Sequence, residues 1–167
     1  MSRELVFSRD VDLPAEAMYK AWTDPALLLQ WFTPEPWKTV EAVLDVRPGG
    51  DFLTKMQSPE GTITAHPGIW LEVVPGRRLV FTNVFTKAWE PMPEEPEGEC
   101  SFMMLAIVTF EPLEPGEPGE PNAPSRTRYT ATVRHWREED ARKHEEMGFR
   151  EGWGLALDQM VTLMKSN

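Results

Sequence analysis

The stretch FREGWGLALDQMVTLM, running from Phe149 to Met164, decides the architecture. Within it Phe149, Trp153, Leu157, Met160 and Met164 recur at steps of four, four, three and four. That is the period of an α-helix with one apolar stripe. A helix of about seventeen residues from Phe149 is about 25 Å long, enough to lie across a sheet. The helical pattern covers most of Asp140 to Asn167, with a break near Gly148.

Upstream of this helix the period falls to two. Thr39 to Arg47 sets Val40, Ala42, Leu44 and Val46 against Thr39, Glu41, Val43 and Asp45, the pattern of a strand with one buried face. Pro48-Gly49-Gly50 turns the chain into a paired strand carrying Phe52, Thr54 and Met56. Thr62 to Val74 and Arg77 to Phe85 are joined at Pro75-Gly76, a hairpin signal. Phe102 to Pro112 and Arg126 to His135 read as two further strands. At the other end, Glu4 to Asp10 suits a first strand. Pro14 opens a helix with Met18, Ala21 and Trp22 on one face, and Asp24-Pro25 ends it before a second short helix through Trp31. One strand, two short helices, a run of antiparallel strands and a closing helix make an α+β fold. The expected architecture is a curved antiparallel sheet of about six or seven strands wrapped around the C-terminal helix.

The chain has 167 residues, the size of one domain, here read as spanning 1–167. Its single cysteine, Cys100, excludes an internal disulfide and a thiolate zinc cluster. The first twenty residues mix charge with apolar side chains and contain no signal-peptide core. No run of eighteen apolar residues occurs, so no membrane helix is expected and the reading is cytoplasmic. The formal net charge of −10 argues against nucleic acid as a partner. Nine of the 27 acids, and no Lys or Arg, fall between Ala88 and Ser125, together with eight of the sixteen prolines. The acidity thus belongs to one region. It reads as two Pro/Glu-rich loops, at about 88–100 and 113–125, flanking a strand. Both read as solvated insertions in a hairpin, or else as docking tails for a basic partner.

Four motifs in order resemble a known family. Ala21-Trp22-Thr23-Asp24-Pro25 with Trp31-Phe32 is similar to the opening of the activator of heat-shock-protein-90 ATPase homologue family. Asp45 to Phe52 resembles its strand-turn-strand with paired glycines. Gly68, Leu71-Glu72-Val73 and Arg78 to Thr82 resemble its hairpin. Met147-Gly148-Phe149 and Gly152-Trp153 to Leu157 resemble its closing helix. The family lies in the START-like, or SRPBCC, superfamily, so the resemblance implies the helix-grip fold. The chain has no room for the separate amino-terminal module of the eukaryotic co-chaperone, so co-chaperone activity is not implied.

A helix held off a concave sheet leaves volume for side chains or for a ligand. Strand alternation nominates Phe52, Met56, Trp70, Phe81, Asn83, Phe85, Met104 and Tyr129, and the helical stripe Phe149, Trp153 and Leu157, as the wall of that volume. Trp70 sits awkwardly in the set, since Ile69 and Leu71 claim the opposite face. Trp22, Trp31 and Trp153 read as filling the junction between helices and sheet, or as walling a cavity there. Gly148, Gly152 and Gly154 suit close packing of the helix, or else a wider entrance to the grip.

Catalytic signatures are missing. There is no H-E-x-x-H, G-x-S-x-G, Walker A or dinucleotide motif, and no cofactor is called for. Glu72, as either an exposed strand residue or a buried carboxylate, and His135 are the polar candidates for acid–base work. A metal site needs two or three converging histidines with carboxylates, and no spacing signature joins His135, His144 and Glu72. Asp45 and Arg47 are candidates for ion pairs with a neighbouring strand. The favoured expectation is a domain that encloses a hydrophobic or amphipathic small molecule. The alternatives are an enzyme of the cyclase, aromatase or hydrolase kind, and an interaction module, chaperone-linked or homodimeric.

Overall fold

The structure, a computed structural model, describes residues 2–92, 102–114 and 125–166. Cys100 and most of both acidic segments lie outside the described residues. Among the described residues, eight strands and four α-helices follow in the order β1 (Glu4–Val11), α1 (Ala15–Thr23), α2 (Pro25–Trp31), β2 (Lys38–Leu44), β3 (Phe52–Gln57), β4 (Ile63–His66), β5 (Ile69–Val74), β6 (Arg78–Thr82), β7 (Met104–Leu113), β8 (Arg126–His135), α3 (Glu138–Glu146) and α4 (Phe149–Lys165). The α+β helix-grip arrangement is present, with α4 packed over the sheet.

The strands form two sheets rather than one. The larger has the order β1-β8-β7-β6-β5 and the smaller β2-β3-β4, with every neighbouring pair antiparallel. The expected single strand over Thr62 to Val74 divides at Pro67-Gly68 into β4 and β5. Proline has no N–H to give a ladder. At Gly68 a Cβ would lie 2.5 Å from the carbonyl oxygen of Thr82, so only glycine lets the two backbones approach this closely. Backbone bonds across the break keep the sheets joined: Phe52 N–H to Gly68 O at 3.0 Å, Trp70 N–H to Gly50 O at 3.0 Å and Gly49 N–H to Trp70 O at 2.7 Å.

The break near Gly148 is also present. Gly148 has φ of 93°, a left-handed conformation that glycine adopts without strain, and it separates α3 from α4. Asp24 caps α2 by accepting from the Ala26 N–H at 3.0 Å, and Pro25 takes the first helical position.

The last helix is clamped on two sides. Towards β1, Gly154 faces Phe7 and Arg9, where an added Cβ would lie 2.9 Å from the Arg9 guanidinium and 3.7 Å from the Phe7 ring. Next to it Arg9 pairs with Asp158 at 2.6 Å, and Arg150 donates to the Val6 carbonyl at 3.1 Å. Towards α2, the Gln159 amide donates to the carbonyls of Trp31 at 3.0 Å and Thr33 at 2.9 Å. Its oxygen accepts from the Glu35 N–H at 2.9 Å. Close packing is therefore the role of Gly154.

Candidate functional site

Between the sheet and α4 lies a cluster of aromatic rings centred on Trp22. α1 presents this residue beside Met18 and Ala21, all buried, as their spacing of three and four requires. The Trp22 ring meets Trp31 at 5.1 Å, Phe32 at 5.6 Å, Phe81 at 5.7 Å, Trp153 at 6.2 Å and Phe52 at 6.5 Å between centroids. Phe52 in turn lies 4.5 Å from both Trp70 and Phe81. These separations are those of rings in contact.

Eight of the eleven wall residues gather here. Phe52, Trp70, Phe81, Tyr129, Phe149 and Leu157 are buried in the core, and Met104 and Trp153 pack half-buried against it. Trp70 joins because a bulge between Trp70 and Glu72 breaks the alternation of β5, so Ile69 and Trp70 are both fully buried. The other three wall residues have different surroundings. Met56 is half-buried outside the cluster. Asn83 is held by main chain: its amide donates to the Phe102 carbonyl at 2.8 Å, and its oxygen accepts from the Met104 N–H at 2.9 Å. Phe85 lies against Trp89, with centroids 6.2 Å apart. The wall set omits Trp22, Trp31 and Phe32, of which Trp22 and Trp31 are read from the sequence as filling this junction or walling a cavity in it. Their motif positions and the helical face of α1 were the signal for them.

The polar atoms of the cluster are mostly bonded to one another. Trp22 Nε1 donates to the Tyr129 hydroxyl at 3.2 Å, and Trp31 Nε1 donates to the Ala21 carbonyl at 3.0 Å. Burial pushes the Tyr129 phenol well above its ordinary value, the Trp22 donor opposing this more weakly, so it stays protonated. Trp70 Nε1 is the exception. It is buried and has no hydrogen-bond partner among the described residues.

The acid–base candidates do not converge on these rings. Glu72 is exposed and pairs with Arg78 at 3.2 Å, which decides for the exposed strand residue over the buried carboxylate. Asp45 and Arg47 pair with each other at 2.7 Å rather than with a neighbouring strand. His135 is buried at the far end of β8. Its Nδ1 lies 3.1 Å from the Arg3 carbonyl and its Nε2 lies 2.9 Å from Nδ1 of His144 on α3. Two of the three members considered for a metal cluster are thus adjacent, while Glu72 stands elsewhere. Among the described residues no three metal-ligating side chains come together.

Two surface depressions lie away from α4. One of about 440 Å³ is lined by Arg3, Glu4, Arg134, His135 and Trp136 among others. The second, of about 360 Å³, lies by Asp51, Leu53 and Lys87. Among the described residues, the rings of the grip touch one another where an open chamber was expected. Among the described residues no helix is long and apolar enough to cross a membrane.

Residues 12–165 match the family described as activator of Hsp90 ATPase homolog 1-like protein. The chain belongs to this family. A protein from Nitrosomonas europaea is 34% identical, covers 98% of this chain and 94% of its own, and superposes with a TM-score of 0.84. A protein from Arthrobacter aurescens has a TM-score of 0.75 at 22% identity, over 99% of this chain and 88% of its own. One from Rhodobacter sphaeroides reaches 0.76 at 18% identity, over 98% and 93%. At those two lower identities the likeness is one of fold. No curated protein matches the chain. In this Hsp90 ATPase activator homolog-like chain, the Trp22 and Trp31 motif lies on α1 and α2, and Trp153 of the last helix stacks on the Trp22 ring.

Proposed function

We propose that the chain, as one START-like unit, takes up a small hydrophobic or amphipathic molecule between its sheet and α4, without covalent chemistry. The observation that carries this reading is the Trp70 indole, a fully buried donor without a hydrogen-bond partner among the described residues, packed in the aromatic cluster. Leaving such a donor unpaired costs about 1–3 kcal/mol, which a guest bearing an acceptor recovers. The Tyr129 hydroxyl adds a second unspent donor, since its one hydrogen bond among the described residues is accepted from Trp22. The interior thus offers rings and donors, and it favours a flat, neutral guest with a carbonyl or similar acceptor. The rings already touch one another. Uptake therefore displaces the half-buried Trp153 and Phe32 rather than filling a preformed chamber.

Thermal unfolding with 9-fluorenone and with fluorene, its twin without the carbonyl, tests the reading, because a ligand selective for the folded state raises Tm. The ketone is expected to raise Tm more than the hydrocarbon, and Trp70→Phe is expected to narrow the difference. No shift with either compound, together with no co-purified small molecule in native mass spectrometry, would remove the proposal. No specific observation favours the cyclase, aromatase or hydrolase alternative, because Glu72, Asn83, Tyr129 and His135 face different partners.

A further inference from the structure

The paired imidazoles of His135 and His144 join α3 to the end of β8. In α3 only Ala141 is buried, and Asp140 and His144 are half-buried; the other six residues are exposed. A helix of this length is not stable by itself in water, so its place depends on what holds it. His144 supplies much of that hold. Its ring packs on Phe102 at 4.6 Å and Phe149 at 5.1 Å, and it shares the 2.9 Å hydrogen bond with His135.

The bond partners fix the protons. The Arg3 carbonyl can only accept, so His135 carries its proton on Nδ1 and offers a lone pair at Nε2. His144 must then donate from Nδ1, which leaves its own Nε2 as the free base of the pair. A first proton at that position keeps every hydrogen bond. A second sets two N–H groups face to face, and the bond cannot survive it.

The charges around the pair are few. On α3, Asp140 attracts a proton to His135, while Lys143 and Glu145 flank His144 in sequence and are exposed. On β8, Arg134 is engaged by Glu4 of β1 at 2.8 Å. Before β1, the Arg3 guanidinium donates to the Trp136 carbonyl at 3.3 Å. From α4 the contact is Phe149, with Arg150 turned to the Val6 carbonyl and Glu151 exposed. The segment before β7 contributes Phe102. Burial and mutual repulsion thus oppose charging, and the Asp140 carboxylate works against them at His135. The surface depression lined by His135 gives solvent an approach to the pair.

We propose that the His135–His144 pair is a proton-operated latch that holds α3 against the end of β8 when neutral and releases it, with the sheet intact, when both rings are charged. The inference is independent of any small-molecule guest. Hydrogen exchange of the full chain, corrected for intrinsic rates, tests it. As the pH falls from about 6.5 to about 4, amides of 138–146 are expected to lose protection by roughly tenfold or more, while those of 104–113 and 126–135 keep theirs. His144→Phe keeps the ring packing and removes the titration, and it is expected to abolish the change. In the unaltered protein the two histidine NMR signals are expected to titrate as a coupled pair, a readout that does not depend on the variant folding. The latch is overturned if α3 protection is indifferent to pH, if it is lost only together with the sheet, or if the two signals titrate independently.

Discussion

Trp22 on α1 and Tyr129 on β8 meet in the interior through a 3.2 Å hydrogen bond from indole to phenol. It links residues 107 apart in sequence and fixes the orientation of the ring around which the cluster is built. Tyr129→Phe keeps the packing and strands the Trp22 donor, so a loss of about 1–3 kcal/mol is expected in urea unfolding. In the double variant with Trp22→Phe, the two losses should add to more than the measured total, because the second change removes a donor that has already lost its partner.

Gln159 makes three hydrogen bonds to main chain, two as donor and one as acceptor. Gln159→Leu leaves two carbonyls and one N–H without their partner and is expected to cost about 1–3 kcal/mol by chemical denaturation. Gln159→Glu should cost more at neutral pH, since a carboxylate would face the Trp31 and Thr33 carbonyls. That excess should shrink as the pH falls below about 4, the ordinary range for a glutamate.

Gly68 and Gly154 make a contrasting pair. At Gly68 the obstacle to a Cβ is the backbone oxygen of Thr82, which has nowhere to go. Gly68→Ala is therefore expected to destabilise by about 2 kcal/mol or more. At Gly154 the near obstacle is the tip of the Arg9 side chain, which can swing aside at the expense of an exposed ion pair with Asp158. Alanine also gains up to ~1 kcal/mol of helix propensity over glycine. Gly154→Ala should be neutral within about 1 kcal/mol in the same assay.

Acid should weaken the fold in two windows. His135 and His144 are held below their ordinary value first by burial, with His144 brought to about 4. His66 is lowered by burial as well. In each case the unfolded chain binds more protons than the folded one, so stability rises with pH. The contribution is complete above about 6.5 and fades towards pH 4. Asp10, lowered mainly by its bond to Arg128, acts with the same sign in a lower window, below about pH 4. A urea midpoint that falls between neutral pH and about 4.5, and falls less in His144→Phe, is the expected result.

The helical stripe from Phe149 to Met164 and the faces of α1 and β8 were legible because each follows one period without interruption. The division of the sheets was not, because Pro67-Gly68 is a local break inside an otherwise strand-like run. Only the approach of the Thr82 carbonyl reveals why it is there. Trp70 shows the same limit at one residue: the bulge that turns it inward leaves no mark in the alternation. Asn83 and Phe85 were assigned by extending the β6 pattern past its end. There the Asn83 amide replaces a further rung of backbone pairing with side-chain bonds to Phe102 and Met104. The nearness of His135 to His144 depends on the turn at residues 136–137, for which periodicity has no signature.

The anchorage by Gln159 has a consequence for how such a protein can change. The bonds that moor the closing helix at this end address peptide groups, which every amino acid except proline supplies in full. Side chains at positions 31, 33 and 35 can therefore be exchanged without cutting that mooring, and the lining of the interior is free to diverge while the frame around it endures.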